Sequence, residues 1–307
     1  MLQNEKILVT GPAGQVGFPA ARELAKHNEV YGMARFSKPA DRSRLEGVGV
    51  KCLQADMFRD PFTHVPDDFT YVLNFAVLRT GNFDEDLGAN AEGLGRLMYH
   101  CRRAKAWLAC SSIAVYHDAG PHQPIKETDP LGDTRRAYTE SYGLAKIAAE
   151  AMARFAARQW NIPTTIARLA MPYGDNGGLP AYLFDAMLAG QPVPVHPNKP
   201  NVYNLLHEDD LVEQLPALIA AAAVPATIVN WGGSEIVSIE EMCAYMKDIT
   251  GAELTFNYTD KTDGPLILDL TRMHALTGPT KVHWRDGIRR MIQARHPEVR
   301  ITSTANN

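Results

Sequence analysis

Short apolar runs alternate with longer amphipathic stretches through the first 170 residues of the chain. Lys6–Thr10, Glu29–Ala34, Val50–Gln54, Tyr71–Phe75, Trp107–Ser111 and Thr164–Leu169 have the length and β-rich composition of strands. Between them, Val16–Lys26, Gly88–Arg103 and Tyr142–Trp160 place apolar residues at helical spacing. Parallel strands need long crossovers, which helices supply, so this alternation predicts an α/β fold with a doubly wound parallel sheet. Ile7–Val9 is apolar at every position, as a strand covered on both faces should be.

The texture changes beyond Met171. Gly174–Pro200 is punctuated by glycine and proline, which suits an irregular, separately packed region. Thr227–Asn230, Trp231–Gly233 and Ser238–Glu241 read as strand, turn and helix start, Ser238 and Glu241 having capping-box spacing. A last helix is expected near Trp284–Ala294. The expected organisation is a sheet domain over 1–170, rejoined by about 201–220, and a smaller, mostly C-terminal substrate lobe from 171–200 and 221–300. A disordered tail is expected over 301–307.

Composition narrows the function classes. The 307 residues are 45% hydrophobic and 21% charged, ordinary for a globular protein that buries a sizeable core. With 31 Lys+Arg against 35 Asp+Glu, the net charge of −4 and the lack of a basic cluster give no electrostatic case for nucleic acid or anionic membrane. The start MLQNEKILVTG has no signal pattern, and no apolar stretch reaches the ~18–20 residues that span a bilayer. A cytoplasmic location is expected. Cys52, Cys101, Cys110 and Cys243 show no CxxC spacing and are expected as buried, reduced thiols.

Candidate chemistry sits at the strand ends. Gly11, Gly14 and Gly17, in TGPAGQVG, follow the first strand and open a helix. Glycines there permit a tight turn and let the helix N-terminus face a pyrophosphate. At the end of the second strand an NAD site expects a carboxylate for the ribose 2′-hydroxyl. Ala34 and Arg35 stand there, with Ser37 and Lys38 close by, which favours NADP, with NAD the alternative. A charge-assisted bond to a 2′-phosphate contributes about 1.5–3 kcal/mol. Asp56, ending the third strand, suits the adenine amino group.

Ser111 and Ser112 close the fifth strand in CSSIAVY, and Tyr142 precedes Lys146 by four residues in ESYGLAK. Positions i and i+4 share a helix face, so an ammonium can stand beside a phenol. A phenol with a pKa of roughly 10 is a poor base near neutrality. An ammonium at ~4–5 Å, at an effective dielectric of ~20, favours the phenolate by about 3–4 kcal/mol. The pair therefore predicts proton transfer beside a dinucleotide. His207, Asp209 and Asp210, in LLHEDDL, read as an acidic helix start rather than a metal site. No GxSxG elbow supports hydrolase chemistry.

In these motifs and their order the chain resembles the extended short-chain dehydrogenase/reductases, the group that contains nucleotide-sugar epimerases and dehydratases. TGPAGQVG, NFAV (Asn74–Val77), NAEG (Asn90–Gly93), CSSIAVY, YGLAK, RLAMPYG, LLHEDDL and the C-terminal DGIRRMI carry the resemblance along most of the chain. It implies a Rossmann fold and a catalytic set of Ser112, Tyr142 and Lys146, the alignment through Val115–Tyr116 preferring Ser112 to Ser111. It implies a cofactor lying along Gly11, Gly14, Gln15, Val16, Gly17, Arg35, Asp56, Met57, Phe75, Ala76, Val77, Asn90, Tyr142, Lys146 and Pro172. A homodimer is also implied, pairing helices near Gly88–Arg103 and Tyr142–Trp160; the alanine face Ala145, Ala148, Ala149 and Ala153 allows close approach there, and packing within the chain explains it as well.

Departures from the family pattern bear on substrate. Nucleotide-sugar members usually offer an Asn to the diphosphate where Met171 stands, an Arg where Tyr203 stands, and a further Arg near TDKTDGPLILD, which has only Lys261. Losing those donors costs a buried pyrophosphate about 1.5–3 kcal/mol each. The expected function is an NADP(H)-dependent oxidoreductase interconverting a carbonyl and a secondary alcohol on a small non-nucleotide substrate, with Tyr142 as general acid/base. That substrate would lie under the loop His117–Thr139, between Leu78, Met171 and Tyr203, its oxygen on Ser112 and any carboxylate on Arg79. The alternative is a redox-neutral nucleotide-sugar 4-epimerase retaining its cofactor; 4,6-dehydration is weaker, since Ile113 and Ala114 occupy the usual acidic pair. The third reading is a catalytically idle dinucleotide-binding regulator.

Overall fold

The computed structural model describes residues 2–117, 120, 123–132 and 140–302. The predicted strands form as β1 (Lys6–Thr10), β2 (Glu29–Ala34), β3 (Lys51–Gln54), β4 (Tyr71–Asn74) and β5 (Ala106–Ser112). A two-residue strand, β6 (Pro124–Ile125), and β7 (Thr164–Leu169) follow. One parallel sheet runs in the order Thr227–Trp231, β7, β5, β4, β1, β2, β3. Since β1 pairs with both β2 and β4, the chain reverses its direction of winding there, and a crevice opens at the carboxyl ends of β1 and β4.

Successive side chains of β1 point to opposite faces, and both faces are covered. Ile7 and Val9 belong to one cluster with Phe18 and Leu24 of α1 (Gly17–Leu24) and, on the same face of the sheet, Leu211, Leu215 and Leu218 of α7 (Glu208–Ala220). Leu8 faces the other way, into a cluster with Leu94 and Leu97 of α4 (Gly93–His100) and Ala153 and Ala156 of α5 (Glu140–Trp160). Each such side chain contributes about 1.5–3 kcal/mol when fully buried. The other helices of this half are α2 (Pro39–Glu46) and α3 (Phe83–Leu87). Helix begins earlier than the apolar pattern suggests because Asn82 caps it, accepting from the Glu85 amide at 3.2 Å; a π turn, Gly88–Glu92, joins α3 to α4.

A further apolar cluster gathers Phe184 of α6 (Leu179–Leu188), Val193, Val195, Met242, Met246, Trp284 and Ile288. Tyr203 and Leu205 pack into it, whereas Leu206 packs under the sheet. The predicted cap forms, Ser238 accepting from the Glu241 amide at 3.0 Å. β6 pairs with Ile267–Leu268 and so ties this region to the chain following β5. Ala145 and Ala153 are wholly buried within the chain, so they are not available to a partner. Cys101 and Cys243 are buried, and desolvation pushes each thiol up to about 12. Cys110 is half-buried, its thiol pushed up to about 11 by burial; Cys52 is half-exposed because β3 is the sheet edge. Among the described residues no helix is long and apolar enough to cross a membrane. Positions 303–307 and, within the loop 117–139, residues 118–119, 121–122 and 133–139 lie outside the described residues.

Candidate active site

The crevice starts at the turn after β1. Gly11 has φ +64°, and a Cβ on it would lie 2.8 Å from the Ala76 Cα, so the turn and the end of β4 approach as only glycine allows. A Cβ on Gly17 would stand 2.2 Å from the Gly11 carbonyl oxygen. Thr10 joins these ends, its hydroxyl donating to Asn74 Oδ1 at 2.7 Å and accepting from the Ala76 amide at 3.1 Å. The result is a bare backbone surface backed by the first turn of α1.

Two connected hollows extend from this surface. The smaller, about 170 Å³, lies between the ends of β2, β3 and β4 and includes Arg35, Asp56, Met57, Ala76 and Asn90. The larger, about 510 Å³, runs from Gly14–Gly17 past Phe75 to Ser112, Tyr142, Lys146 and Pro172, and ends at Met171, Tyr182, Tyr203, Asp263 and Leu266. Gly11 and Val77 line both. An extended dinucleotide fits this shape, its adenosine in the smaller hollow, its diphosphate on the glycine turn and its second ring beside Tyr142. The surfaces a Cβ would fill at Gly11 and Gly17 are where it would pass.

At the reacting end, Lys146 is buried and donates from Nζ to the Cys110 carbonyl at 2.8 Å. Tyr142, one turn earlier on α5, is half-buried, and the Arg79 guanidinium stands 5.1 Å from its ring centre. The serines divide their tasks. Ser111 turns inward and donates to Glu150 at 2.5 Å. Ser112 caps the short 3₁₀ turn Ile113–Val115, accepting from the Ala114 amide at 3.1 Å, which leaves its own O–H to donate into the cleft. Alternation along β5 thus separates the two hydroxyls that sequence alone presents as equivalents.

Behind the cleft, Glu150 meets Arg168 through paired contacts of 2.9 and 2.7 Å, both side chains buried. Arg168 also donates to the Glu127 carbonyl at 3.0 Å and stacks on Tyr116, whose hydroxyl burial pushes up to about 12. Asp86 is a second buried anchor. It accepts from Ser141 at the start of α5 and from Thr80 and Gly81, so the loop carrying Arg79 is fixed to the helix carrying Tyr142. Burial alone would raise its carboxyl; the Ser141, Thr80 and Gly81 donors outweigh that and hold it below the usual carboxylate range.

Several expectations change. Leu78 lines the smaller hollow instead of the larger one that holds Tyr142. The Asn90 amide is engaged with the backbone of Leu78 and Asp86, so it braces the loop and does not reach outward. Tyr203 reaches the far end of the cleft, but its hydroxyl donates toward the Asp263 and Gly264 carbonyls at 3.0 and 2.9 Å. His207 caps α7, Nδ1 accepting from the Asp209 amide at 3.1 Å; Asp209 pairs with Arg290, and Asp210 accepts from the Lys281 and Val282 amides. Tyr182, Asp263, Leu266 and the Glu150–Arg168 pair were not foreseen, because no motif marks them and they arrive from distant parts of the chain.

Comparison with known proteins identifies the fold and the family. The uncharacterized UDP-glucose epimerase YtcB of Bacillus subtilis is 24% identical over 287 residues, covering 84% of this chain and 86% of its own. Among solved structures, UDP-glucuronic acid 4-epimerase from Bacillus cereus, in complex with UDP-glucuronic acid and NAD, superposes with a TM-score of 0.80 at 18% identity, over 95% of this chain and 99% of that one. UDP-glucose 4-epimerase from Thermotoga maritima, with UDP-glucose, gives 0.80 at 21% identity over 95% and 99%. The model of the NAD dependent epimerase/dehydratase family matches residues 7–232, glycine turn, Ser112, Tyr142 and Lys146 included, and the chain belongs to that family.

Proposed function

We propose that the protein is a redox-neutral epimerase of a nucleotide-linked sugar, acting at a secondary hydroxyl through a retained nicotinamide dinucleotide. The observation that carries the chemistry is that Ser112, Tyr142 and Lys146 line one cleft with the Gly11–Gly17 turn. The substrate class is supported by the relatives and structural neighbours, which are named for UDP-sugars. These relatives support a nucleotide-sugar substrate better than the small-substrate reductase expected from the missing Asn and Arg.

When bound, the cofactor supplies hydride acceptance and return. Tyr142 takes the proton of the sugar hydroxyl and gives it back, Ser112 donates to the same oxygen, and Lys146 keeps an ammonium one helical turn from the phenol. Arg35, with no carboxylate at the end of β2, favours a 2′-phosphorylated dinucleotide. Residues 171–200 and 221–300, apart from the strand Thr227–Trp231, which belongs to the central sheet, would hold the rest of the substrate. Exposed Tyr99, Leu144 and Phe155 on α4 and α5 suit a homodimer better than the buried alanines.

The test is to incubate purified protein with UDP-hexoses and no added cofactor. Epimer formation by protein carrying bound dinucleotide supports the reading; stoichiometric consumption of added NAD(P)H by a carbonyl compound, without epimerisation, sinks it. That second outcome is the rival reading, a reductase of a smaller substrate. The engagement of Tyr203 with the Asp263 and Gly264 carbonyls, where a phosphate-binding Arg is usual, favours it.

A further inference from the structure

The outer side of the glycine turn carries a feature that the motif does not predict. Asn176, in the loop after the strand Pro172–Gly174, donates from Nδ2 to the carbonyl oxygens of Gly14 at 3.0 Å and Gln15 at 3.1 Å. Its amide sense is fixed, because Oδ1 accepts from Arg44 at 2.7 Å and an arginine can only donate. Arg44 is itself held over the Phe18 ring at 3.4 Å. The Asn176 main-chain amide donates to buried Glu208 at 3.1 Å. Asn176 is thus fastened at its backbone and at both ends of its side-chain amide.

A trans peptide sets its carbonyl and the next residue's N–H in opposite directions. The Gly14 carbonyl, which also accepts from the Phe18 amide at 3.0 Å, and the Gln15 carbonyl are thus held outward with Asn176 as a shared partner, and the Gln15 and Val16 amides turn inward, to the cleft those residues line. There they stand at the N-terminus of α1, where backbone donors meet an anion. Gln15 reinforces the arrangement, its side chain donating to the Pro172 carbonyl at 2.5 Å.

We propose that Asn176 is a positioning residue for the dinucleotide, holding two backbone donors of the phosphate turn in the orientation that receives the pyrophosphate. The inference rests on the cofactor reading above. It also means that the segment Met171–Asn176, which lines the substrate end through Met171, is joined mechanically to the cofactor turn.

The experiment measures dissociation constants of NADPH, NADH and ADP-ribose for the full chain, stripped of bound nucleotide, by fluorescence titration and calorimetry. Asn176→Asp keeps size but removes both donated bonds, and Asn176→Ala removes the side chain. Each is expected to weaken all three ligands by roughly tenfold, since they share the pyrophosphate. Asn176→Gln, which keeps a donor amide, loses less, and Arg44→Met, which frees the amide to rotate, shifts affinity in the same direction. Melting of the nucleotide-free variants is compared with wild type, so that a folding defect is separated from a binding one. Unchanged affinity in N176D and N176A, or a loss for NADPH and NADH that spares ADP-ribose, overturns the inference. Failure of the wild-type protein to bind any of the three overturns the cofactor reading and this inference with it.

Discussion

Replacing Arg168 by Met asks how much the buried ion pair behind the cleft contributes. The guanidinium makes a paired contact with Glu150 at 2.9 and 2.7 Å, gives one bond to the Glu127 carbonyl, and is 2% exposed; Glu150 is 4% exposed. Removing it leaves a buried carboxylate with Ser111 as its remaining hydrogen-bond donor among the described residues. Breaking a buried pair by deleting one partner costs about 3–5 kcal/mol, most of it the desolvation of the charge left behind. Methionine fills most of the vacated volume, so the cavity contribution is small. Urea unfolding at pH 7, followed by tryptophan fluorescence, should place Arg168→Met about 3–5 kcal/mol below wild type. The double variant Glu150→Gln/Arg168→Met should recover about 2 kcal/mol or more, because a neutral amide replaces the stranded charge and still accepts from Ser111. A single-variant loss under about 1 kcal/mol, or strictly additive losses, would refute the reasoning. Activity should fall as well, since Ser111 and Cys110 lie on the strand end that positions Ser112 and Lys146.

Other expected outcomes are narrower. Tyr142→Phe should abolish turnover while leaving dinucleotide affinity within about twofold, because the ring stays and only the hydroxyl goes; turnover close to wild type would remove Tyr142 from its role. Gly17→Ala forces a methyl to 2.2 Å from the Gly11 carbonyl oxygen, which must displace the turn; calorimetry should show dinucleotide binding weakened by tenfold or more, with a stability loss of about 1–3 kcal/mol. His207 is buried and neutral, desolvation holding its pKa below the usual imidazole value. Its folded-state pKa is depressed, so the unfolded chain takes up its proton first, and stability should fall as pH drops below about 6.5 toward the lowered value. In His207→Asn, which can still cap α7 but does not titrate, melts from pH 7.5 to 5.5 should show a smaller decline; an unchanged slope would count against this assignment.

Legibility varied with the range of the interaction. The strands, the glycine turn, the Ser238 cap and the acidic start of α7 were readable because each depends on neighbours a few residues away. Ser112 could be preferred over Ser111 by alignment, but only the structure supplies the reason, which is that strand alternation sends Ser111 to Glu150. Tyr203 was expected as a cleft wall, and its bonds to carbonyls 60 and 61 residues away could not be foreseen. The position of Leu78 in the smaller hollow is not legible in the sequence, because the bend after β4 is set by Asn90 and Asp86, polar side chains whose partners no periodicity reveals.

By itself the sequence determined the parallel sheet and its glycine turn, and it put Tyr142 and Lys146 on one helical face. These follow from period, backbone freedom and spacing, which any local window contains. Tertiary structure alone decided which buried polar groups meet: Glu150 with Arg168, Asp86 with Ser141, Asn176 with Gly14 and Gln15. Buried charges and amides must find partners, but many partners satisfy that demand on paper, and only the packed chain selects among them.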